Sequence, residues 1–192
     1  CGCSINPSGG IKRREKFIKS LKNLPNLLVV DSGSSLFPWN EKLYQSHKSM
    51  NYLIHNLGWN DLARGFLKKS KHSETFLSSN VEFKNPKQEI KKHVLLNKAS
   101  LDLLFLGFTE KQSHLSKVDE KQFQVLDPLQ SLNEQLPIKH DLAVILNDLS
   151  PKTTLELAQK TTTPTVILGH QSHKANVQST VVGTNTLYFS GP

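Results

Sequence analysis

The chain has 192 residues, of which 36% are hydrophobic, and this is enough for one domain with a sizeable core. No apolar stretch reaches the roughly 18 residues that a membrane-spanning helix needs, so the sequence gives no sign of one. The formal net charge is +8, and we interpret it as a solvated basic surface because aromatic residues do not interleave with the basic runs. Nucleic acid is therefore not an expected partner.

The amino-terminal cysteines bear on the compartment. Cys1 and Cys3 are too close for an unstrained disulfide, so no disulfide framework is expected. Bacterial lipoproteins begin with a cysteine that is acylated after the signal peptide is removed. Two interpretations stay open: a lipid on Cys1 that anchors the protein to a membrane, or a fragment whose true start is missing. The first predicts an extracytoplasmic protein, either periplasmic or an outer-membrane or cell-surface lipoprotein.

Helix and strand patterns alternate through the first half of the chain. Helices are predicted at residues 10–23, 41–50 and 61–71. Strands are predicted at residues 27–31, 52–57 and 76–81. A hairpin is predicted over Val94–Leu96 and Leu101–Phe108, with Asn97–Ser100 as its turn.

The second half begins after Gln112–Gln124, a polar stretch that is predicted to be a loop. Asp127 and Ser150 are the predicted N-caps of two helices, each followed by a proline. Strands are predicted at residues 141–146 and 165–168, with a final hairpin over 180–182 and 186–189. This order predicts an α/β or mixed sandwich in a single domain, residues 1–192, with strands buried on both faces.

Ligands in α/β folds bind at loops that follow the carboxyl ends of strands. The segments around these loops resemble, in order, the catalytic domain of the 5′-nucleotidase-like (calcineurin-like) metallophosphoesterases. Five segments carry the resemblance: Gly9–Arg14, Val29–Phe37, Met50–Gly58, Phe76–Val81 and Ile167–His173. The Cys-Gly-Cys sequence before Gly9 is also similar to a subgroup of these proteins.

The resemblance implies a four-layer αββα sandwich with mixed sheets. The family's fold begins with a strand that would precede Cys1 and usually continues with another after Pro192. The resemblance therefore also implies missing edge strands, and a protein partner is expected to complete a sheet edge.

The family's chemistry needs two metal ions bridged by an aspartate, because the paired cations clamp the phosphate and activate a water. The matching positions of this chain depart from that pattern. Ser34 stands at the bridging aspartate, Trp59 at an asparagine ligand, Asn60 at the catalytic histidine, Asp148 at a histidine ligand and Gln171 at another histidine ligand. The resemblance thus implies a dismantled metal centre, and no cofactor is expected.

Two aspartates in these loops have structural explanations. Asp61 is expected to cap the helix that it begins, and Asp31 is expected to make a loop hydrogen bond. Apart from the histidines of the last loop, most are expected at the surface: His47, His55, His72, His93, His114 and His140.

Three functional hypotheses follow. The first is a non-catalytic metallophosphoesterase-like protein that acts outside the cytoplasm as a structural, accessory or binding protein. The second is a metal-dependent phosphohydrolase with a rebuilt site for a single divalent metal at Asp148, His170 and His173. The third, ranked last, is a basic nucleic-acid-binding module.

Overall fold

The computed structural model describes residues 10–35, 41–63, 75–85, 90–111, 122–170 and 178–191. Its helices are α1 (Ile11–Ser20), α2 (Glu41–Ser49), α3 (Trp59–Ala63), α4 (Pro128–Gln135) and α5 (Pro151–Lys160). The strands of the first half are β1 (Val29–Asp31), β2 (Tyr52–Asn56), β3 (Phe76–Leu77), β4 (Val81–Phe83), β5 (Val94–Lys98) and β6 (Leu101–Thr109). Those of the second half are β7 (Phe123–Val125), β8 (Leu142–Asp148), β9 (Thr165–His170), β10 (Gln178–Val182) and β11 (Thr186–Gly191).

The strands form two main sheets and one small pair. A three-stranded parallel sheet has the order β1-β2-β3, and a six-stranded sheet has the order β10-β11-β9-β8-β6-β5. The large sheet is mixed: β6, β8, β9 and β11 run parallel, and β5 and β10 are antiparallel to their neighbours. Strands β4 and β7 form a separate antiparallel pair.

Three apolar clusters show how the layers stack. One packs the outer face of the small sheet against α2 and α3, around Leu57 and Phe76. A second lies between the two sheets, around Ile54 and Phe105. A third packs the far face of the large sheet against α4 and α5, around Leu132 and Leu157. Helices therefore cover both outer faces of two packed sheets, which confirms the predicted four-layer sandwich.

Local sequence signals account for several boundaries. The side chain of Asp127 accepts a hydrogen bond from Gln130 N at 2.8 Å, and that of Ser150 accepts one from Thr153 N at 3.3 Å, as expected of N-caps. The β5–β6 turn has Ala99 and Ser100 at φ of 52° and 64°. Two consecutive positive φ values are typical of a type I′ hairpin turn, so the predicted hairpin is confirmed.

Three predicted boundaries were wrong. Helix α3 begins at Trp59, not at Asp61. The segment predicted as one strand over 76–81 is two strands, β3 and β4, which belong to different sheets. The end of the predicted polar loop is strand β7, because the ring of Phe123 is buried against Trp59 and Phe83. Among the described helices, none is long and apolar enough to cross a membrane.

Candidate functional site

The predicted site residues meet where strands of the two sheets end. Ser34 follows β1, the segment from Gly58 to Asp61 follows β2, and Asp148 ends β8. The amide of Asn56 joins the sheets here, because its Nδ2 donates to Ser32 O at 2.8 Å and to Phe108 O at 3.0 Å. We call Ser34, Gly58, Asn60, Asp61 and Asp148 the strand-end cluster.

Asp148 is bound by donors of the protein itself. Its Oδ2 accepts hydrogen bonds from Ser34 Oγ at 3.1 Å, from Trp59 N at 2.6 Å and from Thr109 Oγ1 at 3.3 Å. The residue is 2% exposed. Three donors on one buried oxygen hold the carboxyl group in place.

Asp61 is held in a similar way. Its Oδ2 accepts from Ser34 N and from Gly58 N, both at 3.0 Å. Since α3 begins at Trp59, Asp61 lies within the first turn and reaches back to the residue before the helix, as in a capping box. The expected capping role is thus confirmed, although Asp61 acts from inside the helix. Burial, followed by the neighbouring charges of Asp31 and Asp148, raises the pKa of Asp61 well above its usual value.

This raised pKa makes Asp61→Asn a stabilising substitution at neutral pH. The fold prefers the protonated carboxyl, so its contribution to stability is present below the unfolded-state pKa and is lost as the pH rises towards the folded-state pKa. An asparagine stays neutral and keeps an oxygen that can accept from Ser34 and Gly58. We expect the variant to be more stable than the wild type at pH 7, by a margin that shrinks as the pH is lowered.

Urea unfolding of both proteins between pH 4 and pH 7 measures this gain. The stability difference should grow with pH. A variant that is less stable than the wild type by the same amount at every pH would show that Asp61 is ionised in the fold.

The residues of the strand-end cluster do not fit a pair of metal ions. Trp59, which the sequence resemblance aligns with an asparagine ligand, turns its side chain into the apolar cluster of Leu57 and Phe76 and is 2% exposed. Ser34 offers only a hydroxyl, which already donates to Asp148 and accepts from Asn60 N at 3.3 Å.

Backbone N–H groups also affect whether the strand-end cluster can hold a metal ion. The N–H groups of Ser34, Gly58, Trp59 and Asn60 all donate into the cluster. Inward-pointing N–H groups present the positive ends of their dipoles, so they disfavour a cation. In the described part of the site, backbone N–H groups therefore surround the carboxyl groups of Asp61 and Asp148.

The remaining predicted site residues are placed only in part. The backbone of His170 ends β9, next to β8, where Asn147 pairs with Gly169. Gln171, His173 and Cys1 lie outside the described residues. The hypothesis of a single-metal site at Asp148, His170 and His173 consequently stays a prediction.

A second polar cluster was missed by the sequence. Asp31, His47 and His55 lie together beneath α2, and the two histidines are 0% and 2% exposed, so the prediction of surface positions was wrong for both. A signal was present, because Tyr44, His47 and Met50 recur every third residue along α2 and its end, and all three are buried. We call Asp31, His47 and His55 the buried triad.

Hydrogen bonds fix the carboxyl group of the triad. Asp31 accepts from Gly33 N at 3.1 Å and from the hydroxyl of Ser35, which confirms its expected loop hydrogen bond, and its Oδ2 lies 3.2 Å from His55 Nδ1. Burial alone would raise the pKa of Asp31, but His55, Ser35 and Gly33 together lower it. Burial is also the main reason why the pKa of His47 falls to about 4, so this imidazole is neutral at physiological pH.

Comparison with known proteins defines the class of fold first. No protein-family model and no curated protein matches the sequence. Solved structures of 5′-nucleotidases and related phosphoesterases do match it, with TM-scores above 0.5 and identities of 20% or less. The chain therefore has the 5′-nucleotidase-like metallophosphoesterase fold, as the sequence predicted.

Three particular structures illustrate the match. A 5′-nucleotidase precursor from Thermus thermophilus has a TM-score of 0.69 and 20% identity over 96% of this chain and 43% of its own. The NAD nucleotidase of Haemophilus influenzae has a TM-score of 0.75 and 16% identity over 95% and 43%. A phosphatase from Mycoplasma pneumoniae has a TM-score of 0.61 and 14% identity over 94% and 66%. The chain thus spans less than half the length of the two nucleotidases.

Proposed function

We propose that this protein is a non-catalytic relative of the 5′-nucleotidase-like phosphoesterases that acts by binding. One observation carries the proposal: protein donors bind one carboxyl oxygen, Oδ2, of both Asp61 and Asp148, where the fold's enzymes would hold two metals. Ser34 Oγ and Trp59 N bind Asp148, and Ser34 N and Gly58 N bind Asp61. A metal pair would have to displace these bonds.

The catalytic group is missing as well. Asn60 stands at the position of the catalytic histidine, and an amide cannot donate a proton to a leaving group near neutral pH. Asn60 lies in the first turn of α3, where its backbone N–H donates to Ser34 Oγ. Loss of both the metals and the acid leaves the site without the means to hydrolyse a phosphoester.

A groove beside strand β1 is the proposed binding surface. In the described ranges β1 pairs only with β2, so its other edge is open to a further strand. A cavity of about 540 Å³ lies there, lined by apolar side chains such as Leu24, Leu27 and Val29 and by the amines of Lys22 and Lys98. The proposed partner is an extended segment of another protein that carries apolar residues beside acidic ones.

The proposed location is outside the cytoplasm, with a lipid on Cys1 as the anchor. The support is the resemblance of Cys-Gly-Cys to a subgroup of these proteins. Mass spectrometry of the intact protein from its native host tests this proposal, because acylation adds the mass of the fatty chains to Cys1.

A phosphohydrolase with one metal is the second candidate. Its support is the register of β8 and β9, which places the backbones of Asp148 and His170 at neighbouring strand ends. It predicts turnover that His173→Ala abolishes.

Hydrolysis assays separate the two candidates. Phosphomonoesters and nucleotides are incubated with the wild type, with Asp148→Asn and with His173→Ala, each in the presence of Mn²⁺, Zn²⁺ or Ca²⁺. We expect wild-type rates that match those of both variants and of a blank without protein. Turnover that either substitution removes would overturn the proposal of a non-catalytic protein.

A further inference from the structure

The buried triad gathers three metal-ligating side chains from three elements. Asp31 comes from the end of β1, His47 from α2 and His55 from β2. One ligand atom from each residue lies within 4.8 Å of the others, and all three residues are buried. The buried triad and the strand-end cluster have no residue in common.

The buried imidazole of His47 needs a physical explanation. Its side chain is fully buried, and neither Nδ1 nor Nε2 has a hydrogen-bond partner within the part of the chain that the structure describes. An unsatisfied buried polar atom costs about 1–3 kcal/mol. The ring stacks on Tyr52 at 4.7 Å and on His55 at 5.3 Å, which a phenylalanine would do without this cost. A ligand on a ring nitrogen would account for a histidine at this position.

The chemistry of the three donors selects the ligand. Two imidazoles, of which His47 is held neutral, and one carboxylate are the donor set that Zn²⁺ prefers, whereas Mg²⁺ and Ca²⁺ prefer oxygen atoms. Zinc–ligand distances of about 2.0–2.2 Å place neighbouring ligand atoms about 3.3 Å apart. The triad would therefore have to contract by about 1.5 Å at its widest when an ion binds.

One charge near the buried triad opposes a bound cation, and another favours it. The positive charge of Arg14 reaches His47 and Tyr52, and it opposes a cation. The carboxyl group of Asp31 lies in the triad itself and favours a cation, and its charge is also felt at Asp61. Asp31 is nearer to the binding position, so the balance is favourable to a divalent ion.

A route from solvent to the triad exists. A cavity of about 360 Å³ opens beside the small sheet, and it is lined by Tyr44, Tyr52, His55 and Thr75 together with Lys48 and Asn51. An ion can reach His55 through this cavity, and a water from it can complete four-coordination.

We propose that Asp31, His47 and His55 bind one Zn²⁺ ion, with a water from the cavity as the fourth ligand. The ion links α2 to strands β1 and β2, and so it stabilises the small sheet. The proposal does not rest on the absence of catalysis at the strand-end cluster.

The test is zinc stoichiometry and thermal unfolding of the intact chain. The protein is freed of metal with a chelator and then dialysed against ZnSO₄, alongside His47→Phe and His47→Gln. We expect one bound zinc per wild-type chain and a rise in Tm of roughly 5–10 °C at a hundredfold excess over Kd. Both variants should lose the zinc and the rise in Tm. Without metal, His47→Phe should melt no lower than the wild type, because no ring nitrogen is left unsatisfied.

Two controls make the result specific. His93→Gln removes an imidazole whose Nδ1 lies 2.8 Å from Gln135 Oε1, outside the triad, and should keep both the zinc and the rise in Tm. Zinc held by Cys1 and Cys3 would persist in the His47 variants. A wild type that binds no zinc, or zinc binding that survives His47→Phe or His47→Gln, would overturn the proposal.

Discussion

Replacing Asp148 by alanine should destabilise the protein by about 3 kcal/mol or more in the absence of any metal. The substitution leaves the buried donors of Ser34, Trp59 and Thr109 without their acceptor, and each such group costs about 1–3 kcal/mol. If Asp148 were a metal ligand, its replacement by alanine should instead stabilise the metal-free protein. Removal of one of several crowded carboxyl groups relieves their mutual repulsion when no ion is bound. The sign of the change therefore distinguishes a structural carboxyl from a ligand.

Urea unfolding in EDTA measures this change. Asp127→Ala is a suitable control, since it removes an exposed N-cap carboxylate that accepts from Gln130 N and should cost about 1 kcal/mol. If Asp148→Ala is as stable as the wild type, or more stable, the strand-end cluster is not held together in the way described above.

A methyl group on Gly58 should be equally damaging. A Cβ there would meet the backbone nitrogen and hydroxyl of Ser34 and would lie 2.7 Å from Asp148 Oδ2. Because Ser34 N is backbone, the contact cannot be relieved by turning a side chain. We expect Gly58→Ala to lose about 3 kcal/mol, the upper end of the usual range for overpacking, or to fail to fold.

Gly183→Ala is the matched control for this prediction. Gly183 lies at φ +65° in the last hairpin. The atom nearest to an added Cβ would be Asn185 Oδ1, at 3.9 Å. The control should lose only about 1 kcal/mol, from backbone strain. Equal losses in the two variants, measured by thermal and urea unfolding, would show that the close approach around Gly58 does not matter.

The sequence predicted the fold where local and global signals agree. Asp127 and Ser150 combine a capping side chain with a following proline, and both helices begin where they were expected. The buried strands β6, β8 and β9 are continuous apolar runs, which is the pattern of a parallel sheet covered on both faces.

The sequence did not predict the elements whose positions depend on tertiary contacts. Strand β7 has only three residues, and it is recognised by the burial of Phe123 beneath Trp59 rather than by any periodicity. Helix α3 begins early because Gly58 and Asp61 cap it through a hydrogen bond that no single residue type reveals.

The strand-end cluster and the buried triad also differ in how far the sequence predicts them. The positions of Ser34, Asp61 and Asp148 could be predicted because each follows a strand, and the carboxyl ends of these strands meet. The hydrogen bonds from backbone N–H groups to Asp61 and Asp148 could not be predicted, since backbone donors have no sequence signal. His47 and His55 belong to different elements, so only the packing of α2 on β2 brings their rings to 5.3 Å.

Anomalous diffraction from crystals grown with MnCl₂ tests the dismantled centre most directly. The peaks locate each bound ion without reference to activity. We predict no peak between Ser34 and Asp148, where Ser34 Oγ and Trp59 N already donate to Asp148 Oδ2. Two peaks about 3.5–4 Å apart at that position would reveal a working pair of metals and would contradict the account.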